Sequence, residues 1–115
     1  MRVSFMHSGG AEMASYRLRA AMPSAYCGYH SRLNATGADI TVFSKPQPDD
    51  LVVFEQVQAR GAKAVVDICD DHFTHPKLGE IYAEMAQKAD AVVCPTAEMA
   101  RRIRVYAEKD AQVIP

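Results

Sequence analysis

The chain has 115 residues, enough for one compact domain and too few for a second of ordinary size. With 49% hydrophobic and 23% charged residues it has the balance of a globular protein able to bury a core without disulfide or metal staples. A formal net charge of −1 supplies no field that would gather nucleic acid or an anionic membrane, which argues against a nucleic-acid partner.

Val3 to Met6 is a short apolar run ended by His7-Ser8-Gly9-Gly10, the pattern of a buried strand followed by a turn. Ser15 is placed to cap a helix whose apolar face would comprise Leu18, Ala21, Met22, Ala25, Tyr26 and Tyr29. Pro23 lacks an N–H for the preceding turn, so a kink or break is expected there. A short strand is expected over about residues 29–33, and a better one over Asp39–Ser44, rich in β-branched and aromatic side chains. Pro46 and Pro48 close it.

Leu51-Val52-Val53-Phe54 suits a strand by composition. The capping residues Asp49 and Asp50 before it, and Gly61 after it, enclose a run too long for a usual strand and predict a helix. Ala64–Cys69 reads as a buried strand running into Asp70-Asp71-His72. Thr74 or His75, with Pro76, should open a helix with Leu78, Ile81, Tyr82, Met85, Ala86 and Ala89 on one face. Ala91–Cys94 is the next strand, and Pro95-Thr96 a turn with a helix cap. Met99, Ala100, Ile103, Tyr106 and Ala107 form a last apolar stripe, with Arg101, Arg102, Arg104 and Lys109 opposite as a solvated basic face. Residues 111–114 begin a final strand.

Strands alternate with helices, and the strands read as unbroken apolar runs. This predicts an α/β domain with a mainly parallel sheet, Rossmann-like and doubly wound in three α/β/α layers. Three cysteines, Cys27, Cys69 and Cys94, form no CxxC pair and suggest neither a disulfide framework nor a zinc cluster. They fit a reducing compartment. The N-terminus lacks a signal-peptide apolar segment, and no run approaches the length of a membrane span, so a cytoplasmic location is expected.

Ligands of open α/β sheets bind beyond the carboxyl ends of the strands. Three loops leave such ends. Ser8-Gly9-Gly10 lets a backbone approach a ligand closely and, ahead of a helix, suits an anion or phosphate; it also reads as a plain flexible turn. It is neither GxGxxG nor a P-loop. Asp67, Asp70, Asp71, His72 and His75 follow one strand and fit polar substrate contacts, acid–base work or solvated turn residues, without the spacing of DxD or HExxH. Arg17 and Arg19, two apart on the first helix, diverge by about 200°; Arg17 is the better placed for the ligand of the glycine loop, and a solvated helix face is the equal alternative. Thr96 reads first as a helix cap, with contact to a ligand as its second reading.

Taken in order, these segments resemble the N-terminal half of GT-B glycosyltransferases. Gly9-Gly10-Ala11-Glu12 resembles their glycine-rich loop, and residues 14–19 the start of their first helix. Residues 66–73 look like a strand-and-loop segment of a subset, residues 89–99 are similar to the segment before the interdomain region, and Val113-Ile114-Pro115 to the tripeptide leading to the second domain. The resemblance implies an acceptor-side domain facing a second domain that holds a nucleotide-sugar donor. Ser8, Gly9, Gly10, Arg17, Asp70 and Thr96 would then contact substrate or phosphate, and Asp71 and His72 would serve catalysis. No metal or cofactor is implied. The chain stops where the donor domain should begin, so alone it should transfer sugar poorly, and its exposed last strand would favour a homodimer. Two other readings stay open: a stand-alone flavodoxin-like binding or regulatory module, and a small metal-dependent hydrolase using Asp67, Asp70, Asp71 and His72.

Overall fold

A computed structural model describes residues 2–7 and 37–115. The first helix expected from Ser15, the break at Pro23, the strand near residues 29–33 and Cys27 lie outside the described residues.

Eight elements follow in chain order: β1 (Val3–His7), β2 (Ile40–Ser44), α1 (Asp50–Ala59), β3 (Lys63–Asp67), α2 (Gly79–Lys88), β4 (Ala91–Cys94), α3 (Ala97–Ala107) and β5 (Gln112–Val113). The strands form one sheet in the order β1-β2-β3-β4-β5, and every pairing is parallel. The sheet and its three helices make the α/β, Rossmann-like fold that the alternation predicts.

From β2 onward each crossover moves one strand in the same direction. Right-handed crossovers of that kind place their helices on one face, and α2 packs against both α1 and α3. The core lies between them and the sheet. Phe43, Ala64, Val66, Val92 and Cys94 alternate along the strands and meet Phe54 and Val57 of α1, Tyr82, Met85 and Ala86 of α2, and Ile103 and Ala107 of α3. Phe43 and Phe54 touch edge-to-face with centroids 5.5 Å apart, a favoured quadrupole geometry. The other face carries Phe5, Val42, Val65 and Val93, all half-buried.

The ambiguous apolar run 51–54 is helical. Its ends show why: Asp50 Oδ2 accepts from the Gln47 N–H at 2.9 Å, tightening the entry turn, and Gly61 takes φ +84° while its N–H donates to Gln58 O. Asp49, the expected cap, makes no side-chain capping bond. Thr96 does cap α3, its hydroxyl accepting from Met99 N at 3.1 Å. β3 begins one residue earlier than its apolar pattern suggests and ends two earlier, although Ile68 N still donates to Val93 O.

α2 starts later than Thr74–Pro76 predicts. The His75 imidazole accepts at Nδ1 from the N–H groups of Lys77 (3.0 Å) and Leu78 (3.1 Å), holding those residues in a turn instead of a helix. The helix begins where Gly79 passes the Phe73 carbonyl so closely that a Cβ would overlap its oxygen. Among the described residues no helix is long and apolar enough to cross a membrane.

The Gly79→Ala variant should therefore unfold at lower urea than the parent, with a loss of about 1–3 kcal/mol from forced overpacking. An unchanged midpoint would show that the 73–79 loop yields freely.

Candidate functional site

Parallel pairing in register makes the site. His7 lies beside Ser44, Ser44 beside Asp67, and Asp67 beside Val93. The carboxyl ends of four strands thus share one edge, and the chain after β2, β3 and β4 emerges there. Asp70, Asp71 and His72 leave β3 at this rim, and Thr96 leaves β4. Ser8, Gly9 and Gly10 follow the end of β1 in sequence; they and Arg17 lie outside the described residues.

Beneath the rim the Ser44 hydroxyl donates to Asp67 Oδ2 at 3.1 Å. Both residues are nearly sealed from water, at 1% and 4% exposure, where a carboxylate is costly unless it is hydrogen-bonded. Lys45 follows in a left-handed backbone, φ +51°. That conformation costs a residue with a Cβ roughly 1–2 kcal/mol. Pro46, fully buried, and the Asp50–Gln47 bond hold the turn around it. The Lys45 ammonium lies 3.4 Å from Asp70 Oδ2, with side-chain exposures of 24% and 43%. A solvent-reachable pair of this kind contributes about 0–1 kcal/mol, so it does not offset the backbone strain.

Asp71 is more firmly engaged. Its Oδ1 accepts from Phe73 N at 3.3 Å and its Oδ2 from Arg102 Nε at 2.8 Å. The guanidinium lies 4.8 Å from the centre of the Tyr106 ring, and that ring stacks on Phe73, 5.3 Å apart and 6° from parallel. Residues 71–73 are thereby clamped to α3. The bond to Asp71 raises the Arg102 pKa above its usual range, against a small opposing effect of desolvation. Arg102 is the half-buried, paired member of the basic face, whereas Arg101 and Arg104 are exposed, as a solvated face requires. Arg104 pairs with Asp110, Arg101 with Glu98, and Lys109 Nζ donates to Ala89 O.

His72 is half-buried, its ring edge-to-face with Tyr82 (5.4 Å) and His75 (5.7 Å). Burial, then the charges of Asp70, Cys69 and Asp67, push the Tyr82 hydroxyl well above its ordinary 10.0. It stays neutral across the physiological range. Burial likewise raises the Cys94 thiol, with the Thr96 backbone bond lowering it in part, so Cys94 behaves as a small core hydrophobe. Thr96 is exposed and spends its hydroxyl on the cap.

The rim can therefore present two ion pairs, Lys45–Asp70 and Arg102–Asp71, with His72 the next residue after Asp71. Among the described residues no three His, Cys, Asp or Glu side chains converge to hold a metal ion, so the four residues of the hydrolase reading do not form a ligand set. Sequence reading missed Ser44, Lys45 and Arg102. The strand-end rule that picked the other loops applies equally to Ser44-Lys45, where Pro46 reads as mere closure. A cavity of about 350 Å³ bounded by Gly37, Ala38, Asp39, Arg60, Gly61 and Ala62 opens at the opposite, amino-terminal edge. Two of its lining side chains are charged but engaged, with Arg60 donating to Ala38 O and Asp39 accepting from Arg2 N.

Two outcomes check this geometry. Replacing Arg102 with Ala should speed hydrogen exchange at Phe73 N while Val66 N stays slow, and Lys at 102 should not restore protection, since it lacks the planar fork. Tyr82 binds its proton more tightly folded than unfolded, so its contribution to stability is intact below about pH 10 and declines above it. Tyr82→Phe should flatten that alkaline decline in urea unfolding; a parallel decline would contradict it.

No protein-family model matches the sequence, and no curated protein is significantly similar to it.

Proposed function

We propose that the chain is the acceptor-side domain of a GT-B-type glycosyltransferase, with the carboxyl rim of its sheet as the edge that receives a hydroxyl-bearing acceptor. The observation that carries this reading is the convergence at one rim of two acid–base pairs, each built across loops of different strands or helices. A sugar hydroxyl both donates and accepts hydrogen bonds. Adjacent carboxylate and ammonium or guanidinium groups offer it both partners at once. The order of glycine-loop, acid-loop and Thr96 segments along the chain supports the same assignment.

On this reading the roles divide by what each group is free to do. Asp71 already accepts from Phe73 N and Arg102 Nε, which suits it to hold the loop in place rather than to move a proton. His72, half-buried with its ring braced by Tyr82 and His75, is the group that takes a proton from the attacking hydroxyl or orients it. Asp70 and Lys45 contact the acceptor. A nucleotide-sugar donor would be held by a second domain across the rim.

His72→Ala in the natural protein should lower transfer to its acceptor at least about tenfold, or about 1.4 kcal/mol of barrier, with the urea midpoint nearly unchanged. A panel of saccharides should raise the melting temperature of the parent chain and not of a Lys45→Gln/Asp70→Asn double variant. Equal turnover in His72→Ala, or no saccharide response in the parent, would count against sugar transfer.

A further inference from the structure

We infer that Lys45 is an anion-recognition residue, and that the ligand of the rim carries an oxyanion which displaces the Asp70 carboxylate from the Lys45 ammonium. The inference rests on the rim being the acceptor edge and adds the chemical class of the acceptor; it does not depend on sugar being the group transferred.

The backbone is the first argument. Lys45 and Glu108 are the described non-glycine residues with positive φ. Glu108 terminates α3, where a left-handed residue is the ordinary way to end a helix. Lys45 ends a strand and closes no helix. Glycine would take this conformation without strain, so the side chain is kept despite its backbone. What lysine supplies and glycine does not is a compact cation, a form well suited to a phosphate or carboxylate.

The second argument is how that cation is held. Three-quarters of the side chain is covered, which fixes the ammonium in place, while Asp70 is the more exposed partner. Their 3.4 Å separation is longer than the 2.7–2.9 Å typical of charge-assisted bonds, whereas Arg102 meets Asp71 at 2.8 Å. Asp71 is thus committed and Asp67 is sealed below against Ser44. Asp70 is the less firmly held carboxylate, its Oδ2 meeting the Lys45 ammonium at 3.4 Å and accepting from the Cys69 thiol at 3.8 Å, and it stands where a ligand oxyanion would sit. The turn beneath is held by the buried Pro46 and by the Gln47 N–H donating to Asp50 Oδ2 at 2.9 Å.

The test titrates the full chain with inorganic phosphate and, separately, acetate, against chloride at matched ionic strength, following backbone amides by NMR. The amides of Lys45 and Asp70 should shift with phosphate or acetate and not with chloride, and the more effective anion names the ligand group. Lys45→Gln should weaken the response roughly tenfold. Asp70→Asn should tighten it several-fold, because the internal competitor is gone; a purely structural ion pair predicts no such gain. Lys45→Gly should melt above the parent as strain is relieved while losing the anion response. A parent that ignores both anions, a response that survives Lys45→Gln, or an Asp70→Asn variant that binds no tighter overturns the inference. Anion binding without any saccharide response would leave it standing and remove the sugar-transfer reading instead.

Discussion

The in-register parallel pairing of β1 through β4 is the constraint from which the rest follows. Because His7, Ser44, Asp67 and Val93 occupy one row, the loops described after β2, β3 and β4 leave at the same edge. A single antiparallel strand would send its loop to the other side. The pairing also decides what lies on each face: alternate residues Phe43, Val66 and Val92 meet the helices, while Ser44 and Asp67 point the other way and end beneath the rim. One geometric fact thus sets both the core and the site.

Two kinds of restraint then hold the rim in shape. The β3–α2 loop is fastened to α3 by the Asp71–Arg102 bond and the Phe73–Tyr106 stack, and within itself by the His75 imidazole and the close passage of Gly79. The β2–α1 turn is fastened by Pro46 and Asp50 around a strained lysine. Groups that are fully satisfied, such as Asp71 and Thr96, serve shape. Groups that are loosely satisfied or strained, such as Asp70 and Lys45, are the ones to which the proposal assigns a ligand. This distinction separates scaffold from chemistry more sharply than residue type does.

Much of the fold was legible in the chain. β4 occupies the Ala91–Cys94 run that its composition marks, and α1 lies between the acidic entry and Gly61, where terminal signals outweighed a β-like composition. These are local rules, readable within a few residues. The start of α2 was not legible, because it depends on an imidazole accepting two backbone bonds and on one carbonyl crowding Gly79. The acid loop was legible as a strand-end loop; its partners were not. Ser44 and Asp67 are 23 residues apart, and Arg102 and Asp71 are 31 apart, and no local pattern shows which cation finds which carboxylate. Lys45 went unnoticed because a left-handed φ at lysine has no sequence signature.

The claim that one edge carries the chemistry is open to direct measurement by paramagnetic relaxation. A nitroxide attached at a Thr96→Cys position, in a background lacking the three native thiols, should broaden the amides of Lys45 and residues 70–72 at the same rim. It should leave Gly37–Asp39 and Arg60–Ala62 at the far edge sharp. Broadening at the far edge, with Lys45 and Asp71 unaffected, would mean that these loops do not share a rim, and the proposed site would not exist.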